Sequence, residues 1–177
     1  MNAPDFPRQA ARPVAAQTPV QWLASTRDLI NEFLRQKRIA IVGVSRKKSH
    51  FSRAVLTEFR KRGYDVVPCN PHESTIDELT AFPNVQSIRP PVDAVLVMTP
   101  PEVTESIVKE CQQAGVTRIW LHRGTGMGAS SSAAIAFCLS HNMKVIAGHC
   151  PLMFLSDAHL VHRIHGWFKK LARTYPN

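Results

Sequence analysis

The stretch Ile39-Ala40-Ile41-Val42-Gly43-Val44-Ser45-Arg46-Lys47-Lys48-Ser49-His50 decides the fold. It opens with a short apolar run carrying β-branched side chains and no polar alternation. A run of that kind suits a strand buried on both faces, as in a parallel sheet. Gly43 lets the backbone turn tightly where the strand ends. Phe51, Val55, Leu56 and Phe59 then recur at helical spacing across 51–62, and Gly63 stops the pattern. Strand, glycine turn and helix form the opening unit of an α/β fold.

The unit repeats downstream. Strands are expected at 64–68, 92–98, 118–122 and 143–147. Helices are expected at 101–114, with Pro101 near the start and Gly115 at the end, and at 130–140. Residues 73–82 read as a weak helix or an irregular crossover. A last helix, 157–172, would carry Leu160, Val161, Ile164, Trp167 and Leu171 on one face. Upstream, Thr18-Pro19-Val20-Gln21 resembles a helix start. Val20, Leu23, Ala24, Ile30 and Leu34 continue it to about 35–37. Residues 1–17, with Pro4, Pro7 and Pro13, have the composition of a disordered tail. The expected architecture is one Rossmann-like, doubly wound α/β domain over 18–177. Its mainly parallel five-stranded sheet has flanking helices.

Composition narrows the chemistry. The 177 residues hold 22 Lys+Arg against 13 Asp+Glu, a net charge of +9, which favours an anionic partner. Cys69, Cys111, Cys138 and Cys150 include no C-x-x-C pair and do not make a disulfide scaffold, which fits a reducing, cytoplasmic setting. The N-terminus lacks a secretory pattern. The longest uncharged stretch, 124–143, is too rich in Gly and Ser to span a membrane.

In open α/β sheets ligands sit beyond the carboxyl ends of the strands. That rule selects the Gly43 loop, Cys69-Asn70-Pro71-His72, Thr99-Pro100-Pro101, Arg123-Gly124-Thr125-Gly126 and Gly148-His149-Cys150-Pro151. The first joins a strand to a helix N-terminus, where free N–H groups and a partial positive charge attract anions. Ser45 adds a hydroxyl, and Arg46, Lys47 and Lys48 add three cations. The dinucleotide fingerprint G-x-G-x-x-G is incomplete, with Ser45 and Lys48 at its second and third glycine places, and no P-loop G-K-[ST] follows. No carboxylate follows the second strand until Glu73, which weakens a match to NAD and leaves room for a phosphorylated ribose.

The chain resembles the stand-alone CoA-binding domain proteins, which are similar to the N-terminal domain of the succinyl-CoA synthetase α subunit. The residues that carry the resemblance are Ile39-Ala40-Ile41-Val42-Gly43-Val44-Ser45 and Gly63-Tyr64-Asp65-Val66-Val67-Pro68-Cys69-Asn70-Pro71. Val92-Asp93-Ala94-Val95-Leu96-Val97-Met98-Thr99-Pro100-Pro101, Trp120-Leu121 and His149-Cys150-Pro151 complete it. It covers roughly residues 22–155. The resemblance implies that Val44, Ser45, Arg46 and Lys47 line the CoA phosphates, that Asn70 and Pro71 lie beside the adenosine end, and that Thr99, Pro100 and Pro101 border the adenine or the pantetheine arm. Two departures stand out. The lysine expected after the second strand is missing, with His72 nearby, and the synthetase's second domain with its phosphorylated histidine has no counterpart.

Other patterns carry less. His159, His162 and His165 have a spacing that could present metal ligands, but the apolar face of that helix already explains it. Cys150 would sit at the ligand edge. However, no carboxylate lies between Glu110 and Asp157 to orient a histidine base, so a buried structural thiol is the simpler role. Gly124, Gly126 and Gly128 read as a mobile loop with one backbone contact to ligand at most. Arg60-Lys61-Arg62, Arg163, Lys169, Lys170 and Arg173 carry basic charge, without any nucleic-acid-binding signature.

The expectation is a cytoplasmic domain that binds coenzyme A or an acyl-CoA without catalysis. An NAD(P)-binding or redox-sensing module is the alternative, and a basic nucleic-acid or protein-partner domain the third. Self-association is left open.

Overall fold

Ser25 fixes where the first helix begins. Its hydroxyl accepts the Asp28 N–H at 3.2 Å while the Asp28 carboxylate accepts the Ser25 N–H, a reciprocal cap. Helix α1 therefore spans Thr26–Leu34 rather than running on from Thr18, because Ser25 is already extended. This is a computed structural model, and it describes residues 24–123 and 128–155. The tail at 1–17, the start signal at Thr18, the loop glycines Gly124 and Gly126, the helix at 157–172 and His159, His162 and His165 lie outside the described residues.

Strand β1 (Arg38–Val42) enters α2 (Phe51–Lys61) and then β2 (Asp65–Cys69). The crossover after β2 is not helical. Two short strands, β3 (Thr75–Ile76) and β4 (Leu79–Thr80), form an antiparallel hairpin with Asp77 and Glu78 both at positive φ. That is the two-residue turn geometry that matches strand twist, and Asp tolerates it well. Then follow β5 (Ala94–Val97), α3 (Pro101–Gln113), β6 (Arg118–His122), α4 (Ser132–Ser140) and β7 (Lys144–His149). The five long strands make a parallel sheet in the order β2-β1-β5-β6-β7, a Rossmann-like α/β fold.

Strand alternation divides the core in two. Ile39 and Ile41 pack with Leu29, Ile30 and Phe33 of α1 and Val55, Leu56 and Phe59 of α2. Ala40 joins Ile107, Val108 and Cys111 of α3 and Ala134 and Cys138 of α4 on the other face. Both faces are covered, which explains the near-continuous apolar strands. Phe51 departs from the expected core face of α2. It sits at the first helical position, 41% exposed, at the carboxyl edge of the sheet. Among the described residues no helix is long and apolar enough to cross a membrane.

Candidate functional site

The chain leaves β1 toward β2 on one side and leaves β5 toward β6 on the other, so the carboxyl ends of β1 and β5 open a crevice at the switch in strand order. Gly43 sits there at φ +88°, its N–H donated to the Cys69 carbonyl at 3.1 Å. A Cβ at Gly43 would lie 2.8 Å from Thr99 Cγ2. The loops after β1 and β5 thus touch. Beside them, the Thr99 hydroxyl is buried and has no hydrogen-bond partner among the described residues. Pro100 occupies the N-cap position of α3 and Pro101 its first turn, where a missing N–H costs nothing.

Asn70 ties β2 to the same loop. Its Nδ2 donates to the Val44 carbonyl at 2.8 Å, and its Oδ1 accepts the His72 N–H at 2.8 Å. Pro71 and His72 follow, exposed. Val44 itself is fully buried in the core, so only its backbone faces the crevice.

Two N–H groups in the first turn of α2 are already taken. The Ser52 N–H is taken by His50 Nδ1 at 3.2 Å and the Arg53 N–H by the His50 carbonyl at 3.0 Å. Ser52, fully buried, also accepts the Ser45 N–H through Oγ at 2.9 Å, and Ser45 Oγ accepts the Lys47 N–H at 3.1 Å. Among the described residues the backbone N–H groups of Arg46 and Lys48 are left without an acceptor. The candidate anion-binding donors are therefore these loop N–H groups together with that of Phe51 at the first helical position. The Arg46, Lys47 and Lys48 side chains are exposed and form no ion pair among the described residues. A groove of about 540 Å³, lined by Arg46, Lys48, Arg60, Glu73 and Asp77, runs between this loop and the β3–β4 hairpin.

Two features escape a reading of the sequence. Arg53, 7% exposed, reaches from α2 to the Asp77 carboxylate and to the Ser45 carbonyl at 3.1 Å. Its place in the helical period gave no sign that a charged group was buried. Phe51 lies with its ring centroid 5.4 Å from that of His122 at the end of β6. Phe51 and Val103, the exposed large hydrophobics among the described residues, stand on the first turns of α2 and α3.

Farther along the edge, a Cβ on Gly128 would come within 2.3 Å of the His122 carbonyl, so the chain returns tightly against β6. Strand β7 runs two residues past the expected end at Ala147, to His149. Cys150 then packs into the core with Ile146 and Leu152. The four cysteines are buried, and no disulfide occurs among the described residues. Burial, with Glu110 adding to it, pushes the Cys69 thiol up to about 12. Burial alone takes Cys138 to about 12, and it raises Cys111 well above the usual thiol range. No group of three His, Cys, Asp or Glu able to hold a metal occurs among the described residues.

A five-stranded parallel sheet with helices on both faces defines a Rossmann-like class of α/β domain. The family profile described as CoA binding domain matches residues 37–156, and the chain belongs to that family. The uncharacterised protein YneT of Bacillus subtilis strain 168 is 32% identical over 99 residues, spanning 54% of this chain and 71% of that protein. A hypothetical protein of Pyrococcus horikoshii OT3 superposes with a TM-score of 0.66 at 22% identity, over 81% of this chain and 93% of its own. A dinucleotide-forming acetyl-coenzyme A synthetase of Candidatus Korarchaeum cryptofilum matches with a TM-score of 0.57 at 23% identity, over 67% of this chain and 27% of that enzyme.

Proposed function

We propose that this protein binds coenzyme A or an acyl-CoA at the crevice between the ends of β1 and β5, and performs no reaction of its own. Family membership supports CoA as the ligand class. The observation that carries the site is the loop after Gly43, where among the described residues the N–H groups of Arg46 and Lys48 have no acceptor and three exposed cations form no ion pair. CoA brings a pyrophosphate and a 3′-phosphate, and charge-assisted hydrogen bonds to such groups are the strong ones. The Thr99 hydroxyl, buried beside the crevice, has no partner among the described residues. Phe51 and Val103 offer apolar surface to the uncharged pantetheine arm.

Binding without catalysis rests on the chemistry of the edge. Cys69 is buried with its thiol held far from the thiolate, and Cys150 packs in the core. The cysteine spacing, which makes no disulfide scaffold, supports a cytoplasmic setting. Acetyl-CoA and CoA disulfide incubated with the protein, followed by mass spectrometry, test this reading. Unmodified protein agrees with it, and a stoichiometric acyl or CoA adduct overturns it.

A further inference from the structure

Three consecutive loop residues, Val44, Ser45 and Arg46, have their carbonyl oxygens turned toward donors inside the protein. Asn70 Nδ2 takes the first at 2.8 Å, and Arg53 takes the second at 3.1 Å with the third at 3.5 Å. A trans peptide is planar, with its C=O and N–H on opposite sides. Holding the Ser45 carbonyl against Arg53 therefore aims the Arg46 N–H away from the protein interior, and that N–H has no acceptor among the described residues.

Arg53 is itself held from the hairpin. Its Nε donates to Asp77 Oδ2 at 2.9 Å, and its Nη2 pairs with Asp77 Oδ1. Arg60, two turns along the same helix face, donates to the Asp77 carbonyl at 3.3 Å. The planar guanidinium can meet a carboxylate with two nitrogens and a carbonyl with the third, which a lysine cannot do. The hairpin turn is thereby joined through one buried side chain to the backbone of the basic loop.

We infer that Arg53, clamped by Asp77, is the positioning residue that sets the Arg46 N–H as a phosphate donor in the candidate CoA site. The inference rests on the CoA reading above. Neither side chain needs to touch the ligand.

The test uses the full chain, with CoA as the probe, measured by calorimetry at a temperature well below unfolding. Asp77→Asn keeps the size and tolerates the left-handed backbone of residue 77, while giving up the charge and half of the fork. It is expected to weaken CoA by about tenfold, the size of one lost hydrogen bond to a charged group. Arg53→Lys is expected to do the same, and the double variant no more than either alone, because both act through one contact. In ¹⁵N-labelled protein the Arg46 amide proton is expected to move downfield on CoA addition in the wild type, and not in Asp77→Asn. If Asp77→Asn does not fold, Arg53→Lys decides alone. Wild-type protein that binds CoA while both variants bind it equally well overturns this inference and leaves the CoA reading standing. Wild-type protein that does not bind CoA overturns the CoA reading, and this inference with it.

Discussion

Gly43 and Thr99 stand in direct contact across the crevice: a Cβ on Gly43 would sit 2.8 Å from Thr99 Cγ2 and 3.0 Å from its backbone nitrogen. Glycine is required there twice over, by the crowding and by φ +88°. Gly43→Ala is expected to lose at least about 1–2 kcal/mol of stability from the left-handed conformation alone, and to weaken CoA binding by displacing the Thr99 loop. Denaturant unfolding and calorimetry on the same variant check both halves. A variant with unchanged affinity would separate this contact from the site.

Thr99→Val removes the buried hydroxyl, which has no partner among the described residues, while keeping the methyl group that faces Gly43. The free protein should be as stable or more so, because an unsatisfied buried hydroxyl costs ~1–3 kcal/mol. Affinity for CoA should fall by about three- to tenfold, the size of one neutral hydrogen bond. A variant that loses stability without losing affinity would make Thr99 a structural residue only.

Replacing Lys47 and Lys48 together by Ala is expected to weaken CoA by about tenfold or more. Dephospho-CoA losing less would place these cations at the 3′-phosphate, and equal losses would place them at the pyrophosphate. No loss for either ligand would leave the loop a solvated basic turn.

The buried thiols give a pH dependence. Cys69 and Cys138 are pushed up to about 12 when folded, and Cys111 is raised well above its ordinary 9.0. Below about pH 9 the thiols are protonated in both states and do not bias folding. Above it the unfolded chain loses protons that the folded one keeps, so stability falls as pH rises. Urea midpoints at pH 8 and pH 10 should show the drop. They should show less of it in a Cys69→Ala, Cys138→Ala protein compared with itself across the same pH range.

The sheet was legible because parallel strands buried on both faces leave continuous apolar runs, such as Ile39 to Val42 and Ala94 to Val97, with glycine at the turns. The positions of Gly43, Asn70, Thr99 and Pro101 at strand ends followed from that periodicity. What stayed hidden depends on contacts distant in sequence. Arg53 lies in an amphipathic helix like any solvent-facing arginine, and only the Asp77 hairpin explains its burial. The two-residue strands around Asp77 and Glu78 are too short to show a period. The expectation of free N–H groups at the start of α2 missed His50, whose ring and carbonyl take the Ser52 and Arg53 N–H groups.

Ligand identity is the central claim, and calorimetric titration of the 177-residue protein with CoA, acetyl-CoA, NAD, NADH and NADPH tests it most directly. Saturable binding of CoA or acetyl-CoA and none of NAD is expected. Thermal melts at 100 times the dissociation constant should gain about 2.7 kcal/mol of stability. Binding of NADH or NADPH with no response to CoA or acetyl-CoA would contradict it.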